Sequence, residues 1–229
     1  MYVYGTEHVC TGSALTPTWT LTAEHCCTES VVIGILSPNR SAYNTHIRYG
    51  SVLTPPSTHS KADVLSCIKH KYGDVALLQT QPIHIPLYPR VSALDYQSLV
   101  GNELTIYGFG ITNCSKELKP TLDLNLPLQK LDVAVIKCHE TGVNYILNEI
   151  SVENPSMCVS RRCGESAVVC GGDSGGPAMH DSGIVALNWY GQLSDEHIIP
   201  DRLRSHQVIV LTPLSPYIDW IAAHVNYKN

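Results

Sequence analysis

Short apolar runs recur along the chain and are separated by residues that favour turns, chiefly Gly, Pro, Asn and Ser. The runs are four to six residues long and rich in β-branched side chains. This length and composition are typical of strands rather than helices. The clearest runs lie at residues 31–36, 74–78, 103–107, 131–136 and 208–211. The pattern therefore predicts an all-β barrel or sandwich.

One segment near the C-terminus has helical periodicity instead. Ser215 and Pro216 suit the N-cap and first turn of a helix. The apolar residues that follow fall on one helical face: Tyr217, Ile218, Ile221, Ala222 and Val225. We expect a terminal helix that fastens the end of the chain onto the strands.

Three prolines interrupt the chain between residues 82 and 89 and exclude a regular strand there. The segment Ile83–Ser92 is therefore the expected link between two halves of the fold. No repeat or low-complexity tract is present. At 229 residues, the chain suits one large domain or two closely joined halves.

Composition and charge exclude several classes of function. Hydrophobic residues make up 44% of the chain and charged residues 15%, as expected of a well-packed globule. The net charge is -5, and the 15 Lys and Arg residues are scattered. This distribution offers neither a nucleic-acid surface nor a polybasic membrane patch. No stretch approaches the ~20 apolar residues of a membrane span.

The cysteine count points to an oxidising compartment. Nine cysteines lie at positions 10, 26, 27, 67, 114, 138, 158, 163 and 170, without the paired spacing of a zinc site. Disulfides are the better interpretation, and the odd count leaves at least one thiol over. Residues 1–7 lack the basic start and apolar core of a signal peptide. We expect a secreted protein whose leader is missing from this sequence or has been replaced by Met1.

The segment Gly171-Gly-Asp-Ser-Gly-Gly-Pro177 is the strongest chemical feature. A serine hydroxyl is a weak nucleophile and needs an adjacent base and donors for a developing oxyanion. Glycines on both sides permit a tight backbone path that exposes Ser174. Two further segments contain a base and a carboxylate: Leu21-Thr-Ala-Glu-His-Cys-Cys27 with His25, and Gly73-Asp-Val-Ala-Leu-Leu78 with Asp74.

Together, and in the order His, Asp, Ser, these segments resemble the signatures of chymotrypsin-like serine proteases. The resemblance implies that Ser174 attacks the scissile carbonyl and that His25 takes and returns the proton. It implies that Asp74 fixes the imidazole tautomer and stabilises its charged form. The N–H groups of Gly172 and Ser174 would form the oxyanion hole. Neither a metal ion nor an organic cofactor is implied.

The resemblance extends from Cys10 to Ile221 and includes Tyr107-Gly-Phe-Gly110 and Tyr217-Ile-Asp-Trp-Ile221. It implies two six-stranded antiparallel β-barrels of chymotrypsin type and a C-terminal α-helix. The barrels would occupy about residues 1–88 and 89–213, with the helix at about 215–226. It also implies the disulfides Cys10–Cys26 and Cys138–Cys158.

The specificity pocket departs from the family pattern. Its floor falls on Val168, where trypsins have an aspartate, so a buried Lys or Arg side chain would find no counter-charge. One wall aligns with Asn188-Trp189-Tyr190, or after a two-residue slip with Ala186-Leu187-Asn188. Ile209 takes the place of a second wall glycine. Because Tyr190 and Ile209 are bulky, we expect a preference for small aliphatic side chains, or for none.

Two further departures concern Asp173 and the remaining cysteines. In the family, an α-amino group freed by activation pairs with the aspartate at the position of Asp173. No matching N-terminal sequence is present, so that segment is missing here, or Asp173 has another partner, or the oxyanion hole is collapsed. Cys170 could pair with Cys163 or Cys114 or stay free, and Cys27 could pair with Cys67.

Three functions are consistent with the sequence. The first is an active endopeptidase that acts on proteins or peptides and is open to protein inhibitors. The second is a pseudoprotease that keeps the fold as a binding module, which the altered N-terminus and filled pocket favour. The third is a non-proteolytic esterase that uses the same residues. The three intact segments favour the endopeptidase.

Overall fold

The structure is a computed structural model that describes residues 2–4, 9–27, 46–50, 60–110, 127–138, 155–162, 167, 169–190 and 208–225. The described part is built mainly from β-strands, as the apolar runs predict. The predicted strand at residues 31–36 lies outside the described residues. The other four runs overlap observed strands, which begin or end within two residues of the expected limits.

Seven strands form a sheet in the N-terminal half, in the order β2-β1-β5-β6-β7-β4-β3. The strands are β1 (Tyr2–Tyr4), β2 (Val9–Thr11), β3 (Ser13–Thr16), β4 (Trp19–Thr22), β5 (His46–Tyr49), β6 (Ser60–Lys69) and β7 (Ala76–Thr80). All their pairings are antiparallel. Within the described ranges, this sheet does not close, and it differs in this respect from the predicted six-stranded barrel.

The second half forms the expected closed barrel, in the order β10-β13-β12-β11-β8-β9. The strands are β8 (Glu103–Gly108), β9 (Gln129–Ile136), β10 (Met157–Arg161), β11 (Pro177–His180), β12 (Gly183–Tyr190) and β13 (Val208–Pro213). Alternate residues of β8 and β9 point inward, so that Leu104, Ile106, Leu131 and Val133 are buried in one cluster. Burial of each such side chain contributes about 1.5–3 kcal/mol to folding.

A separate apolar cluster joins the two halves. Leu21 of β4 and Leu77 of β7 pack with Leu187 of β12 and with Tyr217 and Ile221 near the C-terminus. All five of these side chains are at most 4% exposed. The two sheets therefore meet along a seam of buried apolar side chains.

The terminal helix is shorter than predicted. A 3-10 turn at Ser215–Tyr217 leads into α1 (Ile218–His224), the one α-helix within the described ranges. Ser215 does not cap it, because its hydroxyl accepts a hydrogen bond from the backbone N–H of Tyr96 at 3.2 Å. Ile221 and Val225 are buried, whereas Ala222 of the predicted apolar face is exposed. No helix among the described residues is long and apolar enough to span a membrane.

Candidate active site

His25 lies in a 3-10 turn, Glu24–Cys26, that is held by disulfides on its C-terminal side. Cys26 is bonded to Cys10 of β2, and the next residue, Cys27, is bonded to Cys67 of β6. The two adjacent cysteines thus connect one turn to two different strands. This connection fixes the backbone on which the imidazole is mounted.

Asp74 lies just before β7, and its carboxylate contacts both the backbone N–H and the ring of His25. Its Oδ1 accepts the backbone N–H of His25 at 2.9 Å. The His25 Nδ1 lies 3.0 Å from Oδ1 and 2.9 Å from Oδ2. The side chain of Asp74 is 13% exposed and that of His25 is 42% exposed. A carboxylate in this place selects the tautomer with a proton on Nδ1, so that Nε2 is a free base.

The turn that carries Asp74 is organised by His70. The ring Nδ1 of His70 accepts the backbone N–H of Tyr72 at 3.2 Å. The backbone N–H of His70 donates to the carbonyl of Val75 at 2.9 Å. The ring meets Tyr217 and Trp220 edge to face, at centroid distances of 4.7 and 5.2 Å. Burial lowers the pKa of His70. The neutral ring is the form that can accept this hydrogen bond.

The serine loop needs its glycines at two positions of left-handed backbone. Gly172 has φ +99°, and Gly175 has φ +75°. A Cβ on Gly172 would lie 2.9 Å from the Cα of Gly110, and one on Gly175 would lie 2.2 Å from the Oγ1 of Thr22. Both the backbone conformation and the lack of space therefore exclude other residues.

The loop reaches the turn of His25 through its backbone. The carbonyl oxygen of Ser174 lies 3.7 Å from the Sγ of Cys26 and accepts the backbone N–H of Thr11 at 2.8 Å. A ring nitrogen of His25 lies within 4.8 Å of the same sulfur. The serine loop and the turn of His25, which are far apart in sequence, therefore lie close together beside the Cys10–Cys26 disulfide.

Several polar groups of the site have no partner in the described part of the chain. The N–H groups of Gly172 and Ser174 donate to no acceptor in the described ranges, while those of Asp173 and Gly175 donate to carbonyls. Neither the Ser174 hydroxyl nor the Nε2 of His25 forms a hydrogen bond with any described residue. The site therefore keeps the N–H groups of Gly172 and Ser174 and the hydroxyl of the half-buried Ser174 without a partner among the described residues.

Asp173 is buried, with 7% of its surface exposed. Its Oδ1 accepts the N–H of Gly110 at 2.7 Å, and its Oδ2 accepts the N–H of Cys170 at 2.9 Å. Burial raises its pKa to about 6, although these two hydrogen bonds oppose the rise. The sequence left open whether Asp173 has another partner. In the structure, two backbone N–H groups donate to its carboxylate, and no cation contacts it among the described residues.

The predicted pocket residues are only partly described. Val168 and the side chain of Tyr190 lie outside the described residues. Trp189 packs beside Cys138 and Cys158 in a cluster on the barrel. Ile209 is 2% exposed and belongs to the barrel core, in the same cluster as Val169. The alternative wall, Ala186 to Asn188, is at most 1% exposed, which disfavours it as a ligand surface.

The structure contains the disulfides Cys10–Cys26, Cys27–Cys67 and Cys138–Cys158. Cys170 is also disulfide-bonded, so it is not the free thiol. Cys114 and Cys163 lie outside the described residues. Of the described residues, only Cys10, His25 and Cys26 gather potential metal ligands, and their two sulfurs are bonded to each other. Since metal ions bind thiolates rather than disulfides, this group is not a metal site.

Two polar residues contact the serine loop in a way that was not predicted from the sequence. Thr11 was not singled out, and Asn188 was expected only as part of a pocket wall. Both are 1% exposed. The Thr11 hydroxyl donates to the carbonyl of Gly172 at 2.8 Å, and the Asn188 Nδ2 donates to the carbonyl of Asp173 at 3.2 Å. The only available signal was a polar residue within a buried strand.

Known proteins share this architecture and sequence pattern. Serine protease 1 of Drosophila melanogaster is 26% identical over 229 aligned residues, covering 93% of this chain and 74% of that protein. Ovochymase of Halocynthia roretzi is 24% identical over 246 aligned residues, covering 96% of this chain and 14% of that protein.

Solved structures with a similar fold include a serine protease and an inactivated protease paralogue. Mouse neuropsin, a serine protease, matches with a TM-score of 0.68 and 18% identity, covering 97% of this chain and 92% of its own. The scabies mite inactivated protease paralogue S-I1 matches with a TM-score of 0.69 and 18% identity, covering 99% and 92%. The Trypsin family model matches residues 1–221. This chain is therefore a member of the trypsin family.

Proposed function

We propose that this protein is a serine endopeptidase in which Ser174, His25 and Asp74 act as the catalytic triad. The observation that carries the proposal is the contact between Asp74 and both N–H groups of His25. The free N–H groups of Gly172 and Ser174 support it, because they are the donors that the family uses for the oxyanion.

The reaction follows from these roles. His25 Nε2 takes the hydroxyl proton while Ser174 Oγ bonds to the carbonyl carbon of the scissile peptide. The carbonyl oxygen becomes an oxyanion that the two N–H groups stabilise. His25 then returns the proton to the leaving amine as the C–N bond breaks. Water, deprotonated by His25, hydrolyses the acyl-enzyme and restores the serine. Asp74 stays ionised and stabilises the imidazolium.

We propose further that the pocket accepts small aliphatic side chains and disfavours Lys and Arg. Val168 in place of an acidic floor residue supports this preference. Ile209 packs within the barrel core, so the preference does not rest on it. Cleavage of peptide libraries should show Ala or Val at the cleaved position. A clear preference for Arg or Lys would contradict the assignment of Val168 as the floor.

A pseudoprotease is the second candidate. It is favoured by the lack of a hydrogen bond between Ser174 and His25 and by the absence of a cation at Asp173 among the described residues. A fold shared with an inactivated mite paralogue is compatible with this function, although the same fold serves active proteases. In that case the protein would bind partners, substrates or inhibitors without cleaving them.

We also propose that the protein is secreted, because its disulfides require an oxidising compartment. Its partners would be protein substrates and protein inhibitors of proteases. We place the boundary between its two halves near residue 88, in the proline-rich link. Neither nucleic acid nor a membrane is expected as a partner.

A fluorophosphonate probe tests the two candidates directly, since it bonds covalently only to an activated serine. The complete secreted protein should be labelled, and Ser174→Ala should abolish the labelling. Ser13→Ala is a matched control, because this buried serine lies in β3 and is not part of the proposed triad. A folded protein that resists the probe would overturn the endopeptidase proposal and favour the pseudoprotease.

A further inference from the structure

We propose that Thr11 and Asn188 are positioning residues that hold the serine loop so that the Ser174 N–H remains a free oxyanion donor. This inference rests on the proposed function, because it assigns how one donor of that site is oriented. It is carried by three consecutive peptide units that run from Gly172 to Gly175.

In the first unit, both ends are occupied. The carbonyl of Gly172 accepts the Thr11 hydroxyl at 2.8 Å, and the N–H of Asp173 donates to the carbonyl of Cys170 at 3.1 Å. The same Thr11 hydroxyl accepts the N–H of Phe109 at 3.1 Å. Thr11 therefore connects β2 to the serine loop and to the segment that follows β8.

In the third unit, both ends are also occupied, here by Thr11 and Asn188. The carbonyl of Ser174 accepts the backbone N–H of Thr11 at 2.8 Å. The N–H of Gly175 donates to the backbone carbonyl of Asn188 at 2.8 Å. Thr11 and Asn188 thus each contact the loop through backbone and side chain together.

The middle unit is held at one end only. The carbonyl of Asp173 accepts the N–H of Gly176 at 2.9 Å and the Asn188 Nδ2 at 3.2 Å. The N–H at the other end is that of Ser174, which has no acceptor among the described residues. A trans peptide unit is planar, with its C=O and N–H pointing in opposite directions. Fixing the Asp173 oxygen therefore fixes the direction of the Ser174 N–H.

Asn188 is an unusual residue for this buried position, because its side chain ends in a polar amide. Its Nδ2 also lies 3.5 Å from the carbonyl of Tyr107, so two acceptors orient the amide. Its Oδ1 is buried and has no hydrogen-bond partner among the described residues. An unpaired buried acceptor costs about 1–3 kcal/mol, which an apolar side chain would avoid. What this side chain offers and an apolar one does not is its donor, which points at the Asp173 carbonyl.

Thr11 and Asn188 each act as a clamp on the serine loop, and the two clamps come from different halves of the fold. Thr11 belongs to the N-terminal sheet and Asn188 to the closed barrel, and the serine loop lies between them. Donors aimed in advance at an oxyanion stabilise the transition state more than the bound substrate. Loss of the clamp should therefore lower kcat and leave KM nearly unchanged.

The test compares Thr11→Val, which removes the hydroxyl but keeps the shape, with Thr11→Ser, which keeps the hydroxyl. For Thr11→Val, we expect the maximal rate of fluorophosphonate labelling to fall about 10- to 100-fold, with the half-saturating probe concentration changed less than about threefold. Thr11→Ser should stay within about threefold of the wild type. Asn188→Leu carries the same comparison for the second clamp and replaces Thr11→Val if that variant does not fold.

Amide hydrogen exchange provides a readout that does not depend on catalysis. The N–H groups of Asp173 and Gly175 should exchange faster in Thr11→Val than in Thr11→Ser. If the wild type is labelled and Thr11→Val shows the same labelling rate and the same amide exchange, the clamp is overturned. The proposed function then still stands. A folded wild-type protein that is not labelled at all would overturn the proposed function and, with it, the catalytic role of the clamp.

Discussion

Asp74 accepts two hydrogen bonds from His25, one from the backbone N–H at 2.9 Å and one from the ring Nδ1, which lies 2.9 Å from Oδ2. The first bond fixes the turn and the second fixes the ring. One carboxylate thus contacts the turn, which the disulfides also hold, and orients the imidazole ring so that Nδ1 faces Asp74 and Nε2 is free.

The first prediction is that Asp74→Asn lowers kcat by about 10⁴-fold, the loss typical of this change in a Ser-His-Asp triad. The amide keeps the shape of the carboxylate but favours the tautomer in which Nε2 carries the proton. Labelling rates and hydrolysis of a peptide ester measure the effect. Asp63→Asn, at an exposed site on β6, is the matched control. Equal loss in both variants would contradict the role of Asp74.

The second prediction concerns stability and pH. Because burial raises the pKa of Asp173 to about 6 from 3.8, the folded protein binds this proton more tightly than the unfolded chain. The contribution of this group therefore favours the fold below about pH 4 and is lost as the pH rises through about 6, by about 3 kcal/mol in total.

Chemical denaturation at several pH values measures this contribution as the difference between the wild type and Asp173→Asn. The difference should change between about pH 4 and pH 6 and be constant above pH 7. Asp181→Asn, at an exposed position, controls for the loss of one negative charge. A difference that does not vary with pH would show that the carboxylate titrates alike in both states.

The third prediction is that the pair of changes Cys27→Ala and Cys67→Ala lowers the free energy of unfolding by about 4 kcal/mol. The bond closes a loop with a sequence separation of 40, and its loss restores the freedom of that loop in the unfolded chain. Denaturation by guanidinium measures the change. Peptide mapping of the unreduced wild type should recover Cys27 joined to Cys67, and two free thiols would refute the pairing.

The fourth prediction is that Gly73→Ala destabilises the protein by about 2 kcal/mol and lowers activity. An added Cβ would lie 2.3 Å from the hydroxyl of the buried Tyr217 and would push the turn that carries Asp74. Gly101→Ala is the comparison, because Gly101 has φ +87° and open space around it. It should show only backbone strain of about 1 kcal/mol, with activity retained.

Local patterns predicted most of what depends on neighbouring residues. Apolar runs such as the one at residues 131–136 became strands because alternate side chains reach the barrel core. The serine loop could be predicted because its glycines are adjacent in sequence. The order of the three chemical segments then indicated the family, which the match over residues 1–221 confirms.

Features that depend on distant contacts could not be predicted. Ser215 was expected to cap a helix, but the N–H of Tyr96, 119 residues away, uses its hydroxyl instead. Thr11 contacts Gly172 across 161 residues of sequence, and nothing in the composition of β2 announces that contact. A side chain that forms hydrogen bonds with the backbone of a distant segment leaves no periodic pattern in the sequence around it.

The contact between Tyr217 and Gly73 joins the helical segment to the turn that carries Asp74. Tyr217 also packs with Ile221 and Val225 in the cluster that unites the two halves. Detachment of helix α1 would therefore release that turn without any change in His25, Asp74 or Ser174. Heat or a remote substitution that loosens the helix thus reaches the site through its scaffold.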